Sequence, residues 1–163
     1  MTFSATTDPV HPIGDVWISA ATTPDTPRSI VTTPNARLLG FTSDSSHALY
    51  LANWTDTTTE GGSGDLTAVD RDGGITVIAP RTVASVLPLA GSNVVYASNE
   101  TTGSAPYVSV FDLSLVDVSK PVPSIVAHGA GDWLFDPTAT TLVYLGDRMG
   151  GDSSVYAMRL PAP

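Results

Sequence analysis

Few residues of this 163-residue chain have the types and spacing that catalysis requires. The three histidines, His11, His47 and His128, show no HExxH or other close metal-ligand spacing, and no Gly-x-Ser-x-Gly motif is present. Because a catalytic histidine needs a nucleophile and an orienting carboxylate beside it, we expect these side chains to lie at the surface or at strand edges. The sequence therefore predicts no catalytic residues.

Two acidic loops are weak candidates for a metal site. Asp70 and Asp72 precede Gly73, which is how a calcium loop begins, but the third acid and the distal Glu are missing. The segment also lies where a hairpin turn is needed, so we interpret it as a turn. Asp147 and Asp152 lie in a second loop, which we interpret as solvated. We predict no metal and no cofactor.

The composition excludes several classes of partner. The net charge is −9 and Lys120 is the only lysine, whereas a phosphate backbone is bound by clustered Lys and Arg. We therefore expect no nucleic-acid partner. The absence of cysteine excludes disulfides, thiolate catalysis and Cys-ligated zinc. No signal peptide is visible and no apolar stretch approaches the roughly 18 residues of a membrane span, so we predict no membrane insertion.

A repeated pattern of short apolar runs predicts that β-strands position any site in this chain. An apolar run ending in or near a tyrosine occurs three times, at 48–51, 94–97 and 142–145. Its tyrosines are Tyr50, Tyr96 and Tyr144, so the steps are 46 and 48 residues. A repeat of roughly 40 to 50 residues made of short strands is typical of a β-propeller blade.

The strand pattern groups into sets of four. The first set is predicted at 38–41, 48–53, 65–70 and 75–79, and the second at 85–89, 93–99, 107–112 and 124–128. A third set, at 132–136, 141–147 and 154–160, stops after three strands, and strands at 15–20 and 29–33 resemble the end of a preceding set. Second strands are apolar on both sides, which predicts burial on both faces, and fourth strands suit an outer edge. We predict a flexible segment at 1–14 and one repeat domain at 15–163.

Segments 41–50 and 135–144 resemble the TolB-type, WD-like β-propeller repeat. Each has an aromatic, a turn rich in Ser, Asp or Pro, and an apolar strand ending in tyrosine. The resemblance covers roughly residues 36 to 160, and the second set departs from it at 89–92, where the turn is shorter and lacks the aromatic. It implies an all-β fold of propeller blades with four antiparallel strands each. A β-sandwich is the alternative fold.

The number of blades is too small for a closed ring. Propellers close with roughly four to eight blades, and this chain has about three blade-equivalents. Either the chain is part of a longer propeller, or two copies form a homo-oligomer that completes a ring of six blades.

The resemblance also indicates a binding face. In the family's topology, the loops after the second strands lie on the same face as the connections between blades. In this chain those loops start at Trp54, Glu100 and Arg148. We predict Trp54, Arg81 and Arg148 as binding residues, with Trp54 as an exposed anchor for a partner or, alternatively, a cap on the blade core.

The predicted function follows from the resemblance. It implies a non-catalytic interaction module that binds a protein or glycan partner of the bacterial envelope, and the acidic, lysine-poor composition favours a periplasmic or extracellular setting. The alternative is an accessory propeller of a larger hydrolase, such as a serine peptidase or a glycan-active enzyme, whose catalytic residues lie outside this chain.

Overall fold

The computed structural model describes residues 17–18, 28–29, 35–56, 62–102, 109–136, 141–146 and 154–160. These residues form twelve β-strands and no helix, which confirms the all-β prediction. The strands are β1 (Trp17–Ile18), β2 (Arg28–Ser29), β3 (Arg37–Phe41), β4 (His47–Thr55), β5 (Ser63–Asp70), β6 (Ile75–Pro88), β7 (Asn93–Thr102), β8 (Ser109–Asp117), β9 (Ser124–Ala130), β10 (Trp133–Phe135), β11 (Thr141–Gly146) and β12 (Ser154–Arg159).

The strands pair only with their neighbours in sequence. β3 to β9 form a seven-stranded antiparallel sheet in chain order, β10 to β12 form a three-stranded sheet, and β1 pairs with β2. None of these sheets closes on itself among the described strands. The predicted segment 1–14 lies outside the described residues.

One pair of predicted strands is continuous in the structure. The segments 75–79 and 85–89 belong to the single strand β6. Its first half pairs with β5, with Ile75 opposite Val69, and its second half pairs with β7, with Val86 opposite Tyr96. The strand changes its pairing partner near Arg81, which has a φ of 48° and lies beside a shift in pairing register. One continuous strand therefore serves as the last strand of the first predicted set and the first strand of the second.

A second correction concerns β8. The sequence predicted this strand at 107–112, whereas it spans Ser109–Asp117. Buried positions continue as far as Val116, which is 1 % exposed, and the strand extends five residues beyond the predicted end.

The chain divides into three units of similar layout. The first unit contains β3, β4, β5 and the first half of β6; the second contains the second half of β6, β7, β8 and β9; and the third contains β10 to β12. A residue with positive φ precedes each of the three tyrosines by 15 positions: Asn35, Arg81 and Gly129. A fully buried small residue follows each of them: Ala36, Thr82 and Ala130. The sequence repeat is therefore also a structural repeat.

Each unit has two sides, which we name by the repeated tyrosine. The side of a sheet that carries the tyrosine is the tyrosine side, and the other is the opposite side. In the first core cluster, the opposite side of the first unit packs with the tyrosine side of the second unit. The first unit contributes Leu49, Leu51, Leu66 and Ala68, and the second contributes Val94, Tyr96 and Val116.

The second core cluster repeats this arrangement. The opposite side of the second unit, with Val95 and Leu113, packs with the tyrosine side of the third unit, with Leu142 and Tyr144. Phe111 and Trp133 meet edge to face across this interface, with ring centroids 5.6 Å apart. The units thus stack in one sense, tyrosine side onto opposite side.

Candidate functional site

A polar cluster lies where the second strands of the first two units end. β4 and β7 are each interrupted there by an asparagine in the left-handed region, Asn53 with φ 52° and Asn99 with φ 54°. Asparagine is among the few residues that adopt this conformation at small cost. The pairing register with the next strand shifts at both positions, so each asparagine lies in a β-bulge.

The two asparagines make the same contact. Asn53 Nδ2 donates to Asp65 Oδ2 at 2.8 Å, and Asn99 Nδ2 donates to Asp112 Oδ2 at 2.9 Å. In both units this bond joins the bulge of the second strand to the third strand. It therefore has a structural role that the repeat reproduces.

The second unit adds two charged or titratable side chains to this pair. Arg81 Nη2 donates to Asn99 Oδ1 at 2.6 Å, and His128 Nδ1 lies 2.9 Å from Asp112 Oδ1. We name the four residues Arg81, Asn99, Asp112 and His128 the rim cluster. Its ends face solvent, since the His128 side chain is 73 % exposed and Arg81 is exposed.

The rim cluster places a guanidinium, an amide, a carboxylate and an imidazole in a row. Such a row can donate to carboxylates, hydroxyls and carbonyl oxygens of a bound partner, because a guanidinium carries five N–H donors and an imidazole carries at least one. The carboxylate of Asp112 is bonded on both oxygens and orients its neighbours. The arrangement suits polar recognition.

Of the three predicted binding residues, Arg81 belongs to the rim cluster and Arg148 lies outside the described residues. Sequence reasoning did not select Asn99 or Asp112, and it placed His128 only at a strand edge. A signal for the asparagine was present: Asn53 and Asn99 each follow the repeated tyrosine by three positions. The contact between Asp112 and His128, 16 positions apart, has no comparable signal.

Trp54 is not an exposed anchor, so that prediction is wrong. Its side chain is 2 % exposed and belongs to the core between the first and second units. Its Nε1 donates to Asp56 Oδ1 at 2.9 Å, and the Arg37 guanidinium lies 4.7 Å from the ring centroid. Directly after the left-handed Asn53, the Trp54 backbone N–H donates to the Asn35 carbonyl at 2.8 Å. The alternative interpretation, a cap on the core, describes this side chain.

The candidate metal residue Asp70 closes a turn. Its Oδ1 accepts the backbone N–H groups of Asp72 at 2.9 Å and Gly74 at 2.7 Å, as the hairpin interpretation requires. The bond from Gly74 is the main reason that the pKa of Asp70 is lowered. Asp147 and Asp152 lie outside the described residues. Within the described ranges, no group of three or more His, Cys, Asp or Glu side chains could hold a metal ion.

A serine, a histidine and an aspartate also meet in the turn between β3 and β4. Ser46 Oγ lies 2.8 Å from His47 Nδ1 and donates to Asp44 Oδ1 at 2.7 Å. In a catalytic triad the carboxylate orients the histidine, whereas here it accepts from the serine and from Thr42. The bonds from Ser46 lower the pKa of Asp44 to about 2. This cluster is a turn cap rather than a triad.

No protein-family model matches the chain, and no curated protein is detectably similar to it. In the part of the chain that the structure describes, no helix is long and apolar enough to cross a membrane.

Proposed function

We propose that this chain is a non-catalytic interaction module built from blades of the TolB-type, WD-like β-propeller. The stacking of its units supports this fold: repeats of 46 to 48 residues pack tyrosine side onto opposite side, in one sense, through two successive core clusters. Propeller blades are four-stranded sheets that repeat radially about an axis, so each blade covers one face of the next.

The rim cluster is the observation that carries the functional proposal. Among the described residues, the first unit shows the pair of Asn53 and Asp65, and the second unit extends the same pair with Arg81 and His128. The β-bulge of the first unit forms with the asparagine–aspartate pair, without an arginine or histidine bonded to it among the described residues. The bulge of the second unit therefore does not require Arg81 or His128 in order to form. Their exposed donors suit a polar partner, a protein surface or a glycan.

The rim cluster also lies where the resemblance places a binding face. Arg81 belongs to the connection between the first two units, and Asn99 belongs to the end of a second strand. Their hydrogen bond shows that these two chain segments meet at one end of the sheet. The acidic, lysine-poor composition supports a periplasmic or extracellular partner.

The test is direct binding of the full chain to a panel of immobilised glycans and purified bacterial envelope proteins. We expect Arg81→Ala and His128→Ala each to weaken the strongest binder about tenfold, because each removes charged or polar donors at the contact. Ser119→Ala is the matched control, since Ser119 lies in the turn at the other end of β8. Far-ultraviolet circular dichroism establishes that all variants are folded. Absence of any binder, or equal binding by the three variants, would contradict the proposal.

A further inference from the structure

Arg81 takes the place of an uncharged residue of the first unit. Asn35 and Arg81 each precede the repeated tyrosine of their unit by 15 positions, and both have a positive φ. The backbone at this position is therefore left-handed in both units, while the side chain changes from a neutral amide to a guanidinium. The repeat itself does not require a positive charge there.

His128 likewise has an uncharged counterpart in the first unit. Ala79 on β6 and Ala127 on β9 each lie opposite the leucine that follows the paired aspartate of the third strand. The next residue is Pro80 in the first unit and His128 in the second. Because proline has no side-chain donor, the imidazole is an addition of the second unit.

The guanidinium of Arg81 is bonded to a neutral group. Its Nη2 donates to Asn99 Oδ1 at 2.6 Å, whereas the carboxylate of Asp112 accepts from Asn99 and lies beside His128. Among the described residues, no ion pair includes Arg81. A guanidinium carries five N–H donors, so the exposed Arg81 side chain offers both a positive charge and further donors to a ligand.

A group with a single negative charge matches this guanidinium. A carboxylate accepts two parallel N–H bonds from an arginine, and this pairing is both strong and directional. Dense polyanions are disfavoured by the net charge of −9 and by Glu100, the residue after Asn99, whose Oε1 accepts from Ser109 Oγ at 2.7 Å. The matching ligand therefore carries isolated carboxylates.

The rest of the rim cluster suits hydroxyl groups. Asp112 holds the Nδ1 of His128, so Nε2 is the ring nitrogen left for a ligand. A hydroxyl both donates and accepts hydrogen bonds, and it therefore pairs with an imidazole nitrogen in either tautomer. A sugar acid presents hydroxyls next to its carboxylate, whereas the carboxylate of an acidic peptide side chain has none beside it.

We propose that the rim cluster binds a glycan through the carboxylate of a uronic acid residue. Arg81 pairs with the carboxylate, and His128 bonds to a hydroxyl of the same sugar. This ligand class rests on the proposed function, of which it is the more specific form. Asp112 is a positioning residue, because it holds both Asn99 and His128.

The test is NMR titration of the isotopically labelled full chain with disaccharides that carry one glucuronic acid or one mannuronic acid residue. Because the contact is small and exposed, we expect a Kd of roughly 0.1 to 1 mM. The methyl ester of each disaccharide is the matched control ligand, since it keeps the sugar ring and removes the charge. We expect at least one acid to shift the side-chain signals of Arg81 and Asn99, and its ester to bind at least about tenfold more weakly.

Substitutions of Arg81 test the pairing itself. Arg81→Gln removes the charge and should raise the Kd at least about tenfold, whereas Arg81→Lys keeps the charge without the two parallel N–H bonds and should raise it about threefold. Arg71→Gln is the matched control and should keep the wild-type Kd, since Arg71 is exposed in the turn after β5, at the other end of the sheet. Far-ultraviolet circular dichroism establishes that the variants are folded.

The outcomes separate this ligand class from the proposed function. Equal binding of acid and ester, an unchanged Kd for Arg81→Gln, or no binding of either acid would overturn the uronic acid. A short peptide with one glutamate side chain that binds as tightly would overturn the choice of a glycan. If the acids fail but another glycan or envelope protein binds in a way that depends on Arg81, the proposed function stands without this ligand class. If no partner binds, both are wrong.

Discussion

The first two units and the third carry the same apolar run in different surroundings. In the first two, the side chains of Ala48–Leu51 and Val94–Ala97 are at most 3 % exposed on both sides of the strand. In the third, only Leu142 is fully buried, and 143–145 are partly exposed. The difference shows that burial on the opposite side of a unit depends on whether another unit stacks on it, and not on the strand's own sequence.

The largest loss of stability is expected on substitution of Trp54, which lies between the first two units. Trp54→Ala removes a side chain that is 2 % exposed and leaves a cavity, so we expect a loss of about 3 to 5 kcal/mol in the free energy of unfolding. The measurement is urea denaturation followed by circular dichroism. In the third unit, Tyr156→Ala is the comparison, because Tyr156 is 43 % exposed and stacks on Tyr144. A loss at Trp54 no greater than that at Tyr156 would show that Trp54 is not part of the core.

A matched pair of leucines tests the same difference with identical chemistry. Leu66 is 0 % exposed between the first and second units, whereas Leu134 is 62 % exposed on the opposite side of the third unit. We expect Leu66→Ala to lower the free energy of unfolding by about 2 to 5 kcal/mol and Leu134→Ala by less than about 1 kcal/mol. Urea denaturation followed by circular dichroism is the measurement. Equal losses would contradict the expectation that burial between units, and not residue type, sets what each leucine contributes to stability.

The smallest expected effect concerns acid sensitivity in the hairpin turns of the seven-stranded sheet. Hydrogen bonds from Ser46 lower the pKa of Asp44 from 3.8 to about 2, and hydrogen bonds, first from Ser92, lower the pKa of Asp117. Because these pKa values are lower in the folded state, the unfolded state takes up protons first as the pH falls. The stability that Asp44 contributes is therefore present above about pH 4 and is lost as the pH approaches 2, and the contribution of Asp117 is likewise lost as the pH falls through its lowered pKa.

Urea midpoints between pH 2 and pH 7 measure this loss. We expect Asp44→Asn and Asp117→Asn each to flatten the decline below pH 4, because the asparagine cannot titrate. Asp132→Asn, at an exposed position just before the third unit, serves as the control and should follow the wild-type curve. If the control flattened the decline as much as the turn variants, the turn carboxylates would not be its source.

Much of the strand layout could be predicted from the sequence. Runs such as Val94–Ala97 are apolar on both sides and bounded by turn residues, and the hairpin at Asp70 forms where the Asp-Gly-Gly segment predicts it. These features are local, because alternation and turn chemistry act over a few residues. The continuity of β6 could not be predicted, since nothing about Arg81 marks it as a residue with positive φ.

The site was predicted only in part. The sequence predicts Arg81 as a binding residue, and the structure places it in the rim cluster, where it bonds to Asn99. Trp54 was expected to be exposed, because a tryptophan in a polar loop sequence suggests a surface residue. Its burial depends on the second unit packing against the first, which no local pattern reports. The partners of Asp112 come from two other strands, so they too depend on the assembled sheet.

The residues of the chain alone predict where the second strands lie, how often the unit repeats and where the hairpin at Asp70 turns. Each of these follows from residues within a few positions of one another. The packed strands are needed to show which sheet sides are covered, that Trp54 is buried and that Arg81, Asn99, Asp112 and His128 meet at one rim. These depend on contacts between separate strands, because burial and hydrogen bonding across a sheet arise only when the units pack.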